Sequence, residues 1–135
     1  MPTDRAKKLI LVVEDEPDQS ADLVAIFEDR GFATRTAPDG NRAMAAVKEG
    51  KPDLITLDMS MPEKSGIRFY RELKDQPDLA GIPVVVITGV TGFGGSAEDF
   101  QKFIESRKRI PPPDGFIPKP VDRDQLMEKV GKLLA

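Results

Sequence analysis

Short apolar runs alternate with amphipathic stretches along the chain. The first run, residues 9–13, is continuous and rich in β-branched side chains, as in a strand that is buried on both faces of a sheet. Similar runs, some of them weaker, predict four further strands at 32–37, 54–57, 82–87 and 115–117. The intervals between these strands are long enough to hold a helix each.

The stretches between the runs carry apolar residues three or four positions apart, which is the period of a helix with one buried face. They predict five helices, marked by Leu23, Ile26 and Phe27, then Ala43, Met44 and Val47, then 67–73, then Ala97, Phe100, Phe103 and Ile104, and finally Leu126, Met127, Val130, Leu133 and Leu134. Gly31 and Gly50 end the first two helices. Strands alternating with helices in this way predict an α/β fold with a parallel sheet and right-handed crossovers.

Composition limits the chemistry of the chain. Its 135 residues suffice for one domain with a hydrophobic core, but not for two. It contains neither His nor Cys, which excludes Ser-His-Asp catalysis, thiol chemistry and the usual zinc sites. A net charge of −3 without a basic stripe argues against nucleic-acid binding, and no apolar run is long enough to span a membrane. We therefore predict a cytoplasmic protein that binds neither nucleic acid nor membrane.

Charged and hydroxyl side chains stand where four of the predicted strands end. Acids at 14–16 follow the first run, Asp58 follows the third, Thr88 the fourth and Lys119-Pro120 the fifth. Because the carboxyl ends of parallel strands share one edge of a sheet, these groups should converge there. Clustered carboxylates repel one another unless a cation lies among them, and carboxylate oxygens suit Mg²⁺.

The same groups are the parts that phosphoryl transfer requires. A Mg²⁺ ion held by Asp15 and Asp58 would offer open coordination positions to a phosphoryl group. Thr88 and Lys119 would contact the remaining phosphoryl oxygens. This arrangement predicts that Asp58 is a nucleophile and forms an aspartyl phosphate.

With these residues in place, the chain resembles a response-regulator receiver domain over nearly its whole length, from residue 8 to residue 134. The family's four motifs occur in order, each at a strand end: Glu14-Asp15, then 58–62 followed by Ser65-Gly66, then Thr88, then Lys119-Pro120. The resemblance implies a flavodoxin-like, doubly wound fold with five parallel strands in the order 2-1-3-4-5 and five helices. It also implies a cis peptide bond between Lys119 and Pro120.

The resemblance assigns the metal ligands and the phosphodonor. Asp15 and Asp58 would bind Mg²⁺ directly, together with the backbone carbonyl of Ser60, and Glu14 would act through water. Asp58 would receive its phosphoryl group from a histidine on a sensor histidine kinase or a histidine phosphotransfer protein. The lack of His in this chain agrees with that role, since the donor must then come from a partner.

The resemblance also implies a two-state switch. Thr88 would move toward the phosphate, which Lys119 also contacts, and Phe116 would turn inward behind it. The movement would change a face that binds a downstream protein. The chain would catalyse only its own phosphorylation and dephosphorylation, so we do not predict an enzyme.

One segment departs from the family pattern. The stretch between Thr88 and Lys119 is longer than usual and is rich in Gly and Pro. We predict a single receiver domain over 1–135, with a flexible N-terminus at 1–7 and an extended loop with the fourth helix at 89–114. No output domain follows the last helix, so we expect either a stand-alone receiver or part of a larger protein.

Three alternatives fit the chain less well. Residues 92–97 match a loose dinucleotide fingerprint, but the acids after the first strand would repel a pyrophosphate, and they argue equally against a flavin site. An aspartate-nucleophile phosphatase would carry a second Asp two residues after the nucleophile, where this chain has Ser60. A receiver that has lost phosphorylation would serve only as a binding module, and the complete set of site residues argues against it.

Overall fold

The predicted strands form one parallel sheet in the computed structural model, which describes residues 7–58, 63–88 and 113–134. The sheet contains β1 (Leu9–Val13), β2 (Ala33–Ala37), β3 (Leu54–Asp58), β4 (Val84–Thr88) and β5 (Gly115–Pro118). The strand order is 2-1-3-4-5 and every neighbouring pair is parallel, which confirms the predicted topology. The order reverses between β1 and β3, where a doubly wound sheet opens a crevice.

Four helices cover the sheet within the described residues. They are α1 (Pro17–Asp29), α2 (Gly40–Glu49), α3 (Glu63–Lys74) and α4 (Arg123–Leu134). The helix predicted around Ala97 to Ile104 lies outside the described residues, as do nearly all of the predicted loop and N-terminal segments. None of the four helices combines the length and the apolar character of a membrane span.

Two predicted strands begin later than their apolar runs. The amide of Ile82 donates to the carbonyl of Leu79 at 3.1 Å in the turn before β4. The amide of Phe32 donates to the carbonyl of Phe27 at 3.1 Å, just after α1 ends. Because each amide is already used by a turn or a helix end, it does not join the hydrogen-bond ladder of the sheet.

Alternate strand residues pack into two cores, one on each face of the sheet. On one face, the buried side chains of β1, β3 and β4 pack with residues of α2 and α3. On the other face, α1 contributes Phe27, and α4 contributes Leu126 and Val130. Because helices cover both faces, the central strands carry apolar residues at nearly every position, which explains the continuous runs in the sequence.

Thr56 is a polar exception in the middle of β3. It lies opposite Val12 and Val85, which belong to the core on the face covered by α1 and α4. The residue is 1% exposed, and its Oγ1 has no hydrogen-bond partner among the described residues. A buried hydroxyl without a partner lowers the stability of the fold.

We therefore expect Thr56→Val to raise the free energy of unfolding by roughly 0.5–2 kcal/mol, because the methyl group that replaces the hydroxyl needs no partner. The matched control is Thr36→Val on the edge strand β2, where the side chain is exposed. It should change stability by less than about 0.5 kcal/mol. Urea denaturation of both variants gives the comparison, and a destabilised Thr56→Val would show that the hydroxyl is paired.

Candidate functional site

The candidate site lies at the carboxyl edge of the sheet, beside the crevice between β1 and β3. Glu14 directly follows β1, Asp58 is the last residue of β3, and Lys119 directly follows β5. The register places Val13 opposite Leu57, so the ends of β1 and β3 are level with each other. The parallel topology thereby brings together residues that are far apart in the sequence.

Asp58 and Lys119 form a buried ion pair. Lys119 Nζ donates a hydrogen bond to Asp58 Oδ2 at 3.0 Å. The side chain of Asp58 is 1% exposed and that of Lys119 is 19% exposed, so both charges are largely removed from water. Charges are tolerated at such a depth when they are paired and hydrogen-bonded.

Three carboxylates gather at this ion pair. Oxygen atoms of Glu14, Asp15 and Asp58 lie within 4.8 Å of one another, and we call these three residues the acidic pocket. Glu14 and Asp58 are buried, whereas Asp15 is exposed. The pocket is therefore accessible to solvent from the side of Asp15.

The carboxylate of Glu14 is only partly satisfied. Its Oε2 accepts a hydrogen bond from the backbone N–H of Glu16 at 3.1 Å. Its Oε1 has no hydrogen-bond partner among the described residues, although the residue is only 3% exposed. The pKa of Glu14 is raised from 4.5 to about 8. Burial is the main cause of this rise, and the neighbouring Asp58 carboxyl is the second. A nearby cation would oppose both effects.

The acidic pocket fits a hard divalent cation. Its donors are carboxylate oxygens, the ligand type that Mg²⁺ prefers. The Oε1 of Glu14, which has no hydrogen-bond partner within the part of the chain that the structure describes, supplies a buried oxygen that a cation can bind. The three acids also outnumber the Lys119 ammonium, so the pocket carries excess negative charge. The residues present therefore suit Mg²⁺.

The acids that follow β1 divide into two roles. Glu16 is the N-cap of α1, and its Oε1 accepts a hydrogen bond from the backbone N–H of Asp18 at 3.0 Å. Pro17 begins the helix, where its missing N–H has no cost. Glu16 thus starts α1, while Glu14 and Asp15 enter the pocket. Pro17 is the signal in the sequence that could have marked Glu16 as a cap.

The structure describes the remaining predicted site residues only in part. Thr88 is the last residue of β4, opposite Pro118, and its backbone alone is described. Ser60 lies outside the described residues. Phe116 in β5 is partly buried and packs against the core on the face covered by α2 and α3. The Lys119-Pro120 peptide bond is cis.

A groove of about 820 Å³ lies between α1 and the segment before α4, next to Glu14 of the acidic pocket. Glu14 and Lys119 line it together with apolar side chains of α1 and of the segment before α4. Asp22 from α1 and Arg123 from α4 also line it.

The doubly wound sheet with an acidic pocket at its carboxyl edge defines a flavodoxin-like domain, and known proteins are similar to this chain in sequence and in fold. Residues 10–131 match the response regulator receiver domain. Protein Rrf1 of Nitratidesulfovibrio vulgaris is 32% identical over 126 residues, which are 93% of this chain and 82% of Rrf1. The solved signal receiver domain of a signal transduction histidine kinase from Syntrophus aciditrophicus is 35% identical, with a TM-score of 0.78 over 94% of this chain and 89% of that chain.

The chain belongs to the response regulator receiver domain family. Members of this family are signalling domains of two-component systems rather than classical enzymes. The DNA-binding response regulator MtrA of Mycolicibacterium smegmatis is 34% identical over 104 residues, which are 72% of this chain and 44% of MtrA. The chain therefore corresponds to less than half of that relative.

Proposed function

We propose that this receiver domain is switched by phosphorylation of Asp58. The phosphoryl group comes from a phosphohistidine on a sensor histidine kinase or a histidine phosphotransfer protein, and the phosphorylated domain binds a downstream protein. The placement of Asp58 carries the proposal. It ends β3, lies among acids that fit Mg²⁺, and is hydrogen-bonded to Lys119.

In this proposal Mg²⁺ binds in the acidic pocket. Asp15, Asp58 and the backbone carbonyl of Ser60 are its ligands, and Glu14 acts through water. When bound, Mg²⁺ neutralises the charge that develops on the phosphoryl oxygens. Two observations support this assignment: three carboxylates lie close together, and the Oε1 of Glu14 has no hydrogen-bond partner in 7–58, 63–88 and 113–134.

Asp58 acts as the nucleophile. One of its carboxylate oxygens attacks phosphorus, so that an O–P bond forms while the N–P bond of the phosphohistidine breaks and its electron pair returns to the imidazole. Lys119 is hydrogen-bonded to Asp58 before the reaction and then contacts a phosphoryl oxygen. Thr88 contacts another phosphoryl oxygen. The movement of Thr88 and Phe116 then changes the face that the downstream protein binds.

The proposal extends to the setting in which the domain works. We infer one receiver domain over 1–135 that acts in the cytoplasm, does not itself bind nucleic acid, and turns over no substrate other than its own phosphoryl group. The family match over 10–131 supports the single domain. The acidic net charge of −3 supports the inference about nucleic acid.

Incubation with acetyl phosphate tests the proposal. In the presence of Mg²⁺, intact mass spectrometry should show one added phosphoryl group, and peptide mapping should place it at Asp58. EDTA should prevent the labelling, because the pocket then keeps its excess negative charge and repels the donor. Repeated turnover of small phosphate esters would indicate a phosphatase instead, and the lack of an adduct with any donor would contradict the proposal.

A further inference from the structure

Two strands of the sheet are preceded by an aspartate that binds the neighbouring strand through both its backbone and its side chain. Asp53, just before β3, donates its N–H to the carbonyl of Leu9 at 2.8 Å and accepts the N–H of Leu9 on Oδ2 at 2.7 Å. Asp114, just before β5, donates its N–H to the carbonyl of Val84 at 2.9 Å and accepts the N–H of Val84 on Oδ2 at 2.9 Å. We call each reciprocal pair of hydrogen bonds a carboxylate bridge.

Both carboxylate bridges lie at the amino edge of the sheet and continue its register. The first pair between β1 and β3 is Ile10 with Leu54, and the first pair between β4 and β5 is Val85 with Gly115. Each bridging aspartate stands one position before such a pair. A strand that keeps its register brings its last residue to a fixed level at the opposite edge. Lys119 lies at that opposite edge, directly after β5.

The two bridges serve strands that are held unequally. β3 pairs with β1 and β4, whereas β5 pairs with β4 alone in the part of the chain that the structure describes. β5 has only four residues, and the last of them is Pro118. Because the N–H of Asp114 faces β4, the alternation along a strand also turns Phe116 and Pro118 toward β4, and a proline has no N–H to donate. The side-chain bond of Asp114 is therefore a larger share of what holds β5 than the side-chain bond of Asp53 is for β3.

The movement of β5 matters because it carries the residue that contacts Asp58. Lys119 donates a hydrogen bond to Asp58 Oδ2 at 3.0 Å. A hydrogen bond of this length weakens when its donor is displaced or turned. A shift of β5 relative to β4 therefore moves the ammonium of Lys119 away from the groups at the end of β3.

We propose that Asp114 is a positioning residue for the phosphorylation of Asp58, because its carboxylate bridge fixes β5 on β4 and thereby holds Lys119 in place for the phosphoryl group. The inference rests on the proposed function and adds a residue that touches no reacting atom. About 16 Å of extended chain separates Asp114 from Lys119. Asp114 thus acts on the reaction only through β5 and Lys119.

Two substitutions of Asp114 test the side-chain bond. Alanine removes the acceptor for the N–H of Val84, whereas asparagine keeps an amide oxygen that can accept it. On the full chain at saturating Mg²⁺, Asp114→Ala should lower the initial rate of labelling by acetyl phosphate roughly three- to tenfold. Asp114→Asn should stay within about twofold of the wild type.

The Mg²⁺ requirement separates the position of Lys119 from the acidic pocket. The pocket lies at the ends of β1 and β3, which Asp114 does not contact. The Mg²⁺ concentration that gives half the maximal labelling rate should therefore stay within about twofold of the wild-type value in Asp114→Ala. A loss in the maximal rate without a change in this concentration is the expected signature.

Asp53→Ala breaks the other carboxylate bridge and is the matched control. Because β3 keeps paired strands on both sides, its labelling rate should stay within about twofold of the wild type. Thermal unfolding identifies a temperature at which all variants are folded, and the rates are measured there by intact mass. A residue that serves stability alone leaves the rate of the folded protein unchanged.

Hydrogen exchange measures the attachment of β5 without any phosphorylation. In Asp114→Ala, the N–H of Phe116 should exchange roughly fivefold faster relative to the N–H of Leu57 in β3. The ratio of the two exchange rates removes any change in global stability. Asp114→Asn should show the wild-type ratio.

The outcomes separate this inference from the proposed function. If Asp114→Ala is labelled at the wild-type rate, if Asp53→Ala loses as much, or if the exchange ratio does not change, positioning by Asp114 is wrong while phosphorylation of Asp58 stands. If the wild type itself is not labelled, the proposed function is wrong, and the inference falls with it. A slower rate and a faster relative exchange in Asp114→Ala, both restored in Asp114→Asn, support the inference.

Discussion

Asp58→Asn is expected to lower the rate of labelling by acetyl phosphate by at least about a hundredfold. Asparagine preserves the size of the side chain, and its amide oxygen can still accept the hydrogen bond that Lys119 donates to Asp58 at 3.0 Å. The amide is a poor nucleophile, however, and has no charge with which to attract Mg²⁺. The substitution therefore removes the chemistry and leaves the packing. A time course of intact mass at saturating Mg²⁺ measures the loss.

The control for this variant is Asp78→Asn, which makes the same chemical change at an exposed position before β4. It should be labelled at the wild-type rate. Thermal unfolding of both variants should show that they remain folded, so that a lost rate reports on the reaction. Full labelling of Asp58→Asn would mean that another residue accepts the phosphoryl group.

Glu14→Gln is expected to stabilise the metal-free domain at pH 7 by roughly 1–3 kcal/mol. Glu14 is buried next to Asp58, and this environment raises its pKa to about 8. At pH 7 Glu14 is ionised in the unfolded chain but mostly protonated in the folded domain, so folding must take up a proton at a cost in free energy, which an uncharged side chain avoids. The amide oxygen of glutamine can still accept the hydrogen bond from the N–H of Glu16.

The sign of the pH dependence follows from the two pKa values of Glu14. The pKa is about 4.5 when the chain is unfolded and about 8 when it is folded, so the folded state binds more protons between these values. The contribution of Glu14 to stability is complete below the lower value and is lost as the pH rises through the upper one. The advantage of Glu14→Gln should thus be small in acid and grow through neutral pH. Urea denaturation in EDTA at several pH values measures it.

Mg²⁺ should reduce this difference, because a cation in the acidic pocket stabilises the ionised form of Glu14. A ligand that binds the folded state stabilises it in proportion to the logarithm of its concentration. The wild type should therefore gain more from Mg²⁺ than Glu14→Gln does. Glu128→Gln, at an exposed position in α4, is the control and should respond as the wild type. A pH-independent difference between Glu14→Gln and the wild type would contradict the raised pKa.

The apolar pattern predicts the strands and helices well because the sheet is covered on both faces. Such strands must be apolar throughout, and the helices that cover them must be apolar on one side. Strands and helices therefore differ in how their apolar residues are spaced along the sequence. The boundaries are less predictable. Ile82 is apolar and buried, but its backbone N–H donates a hydrogen bond within the turn before β4. The apolar pattern contains no information about the hydrogen-bond partner of a backbone N–H.

The acidic pocket was predictable for a related reason. In a parallel sheet the residue that follows a strand lies at the carboxyl edge of the sheet. Residues that follow different strands are therefore expected to lie close to one another. Glu14, Asp58 and Lys119 meet at that edge. Three adjacent carboxylates do not by themselves distinguish Glu16 from the acids before it, and the sequence signal that does so is Pro17 at the start of α1.

By itself, the sequence determined the types of the elements, the residues at the strand ends and the chemistry that those residues can support, because these depend on local period and side-chain type. Only the tertiary structure decided how deeply each charge is buried. Glu14 and Asp15 are adjacent acids, yet one is enclosed and the other exposed. Burial depends on what the rest of the chain packs around each side chain, and here the end of β3 and the residue after β5 come from distant positions in the sequence.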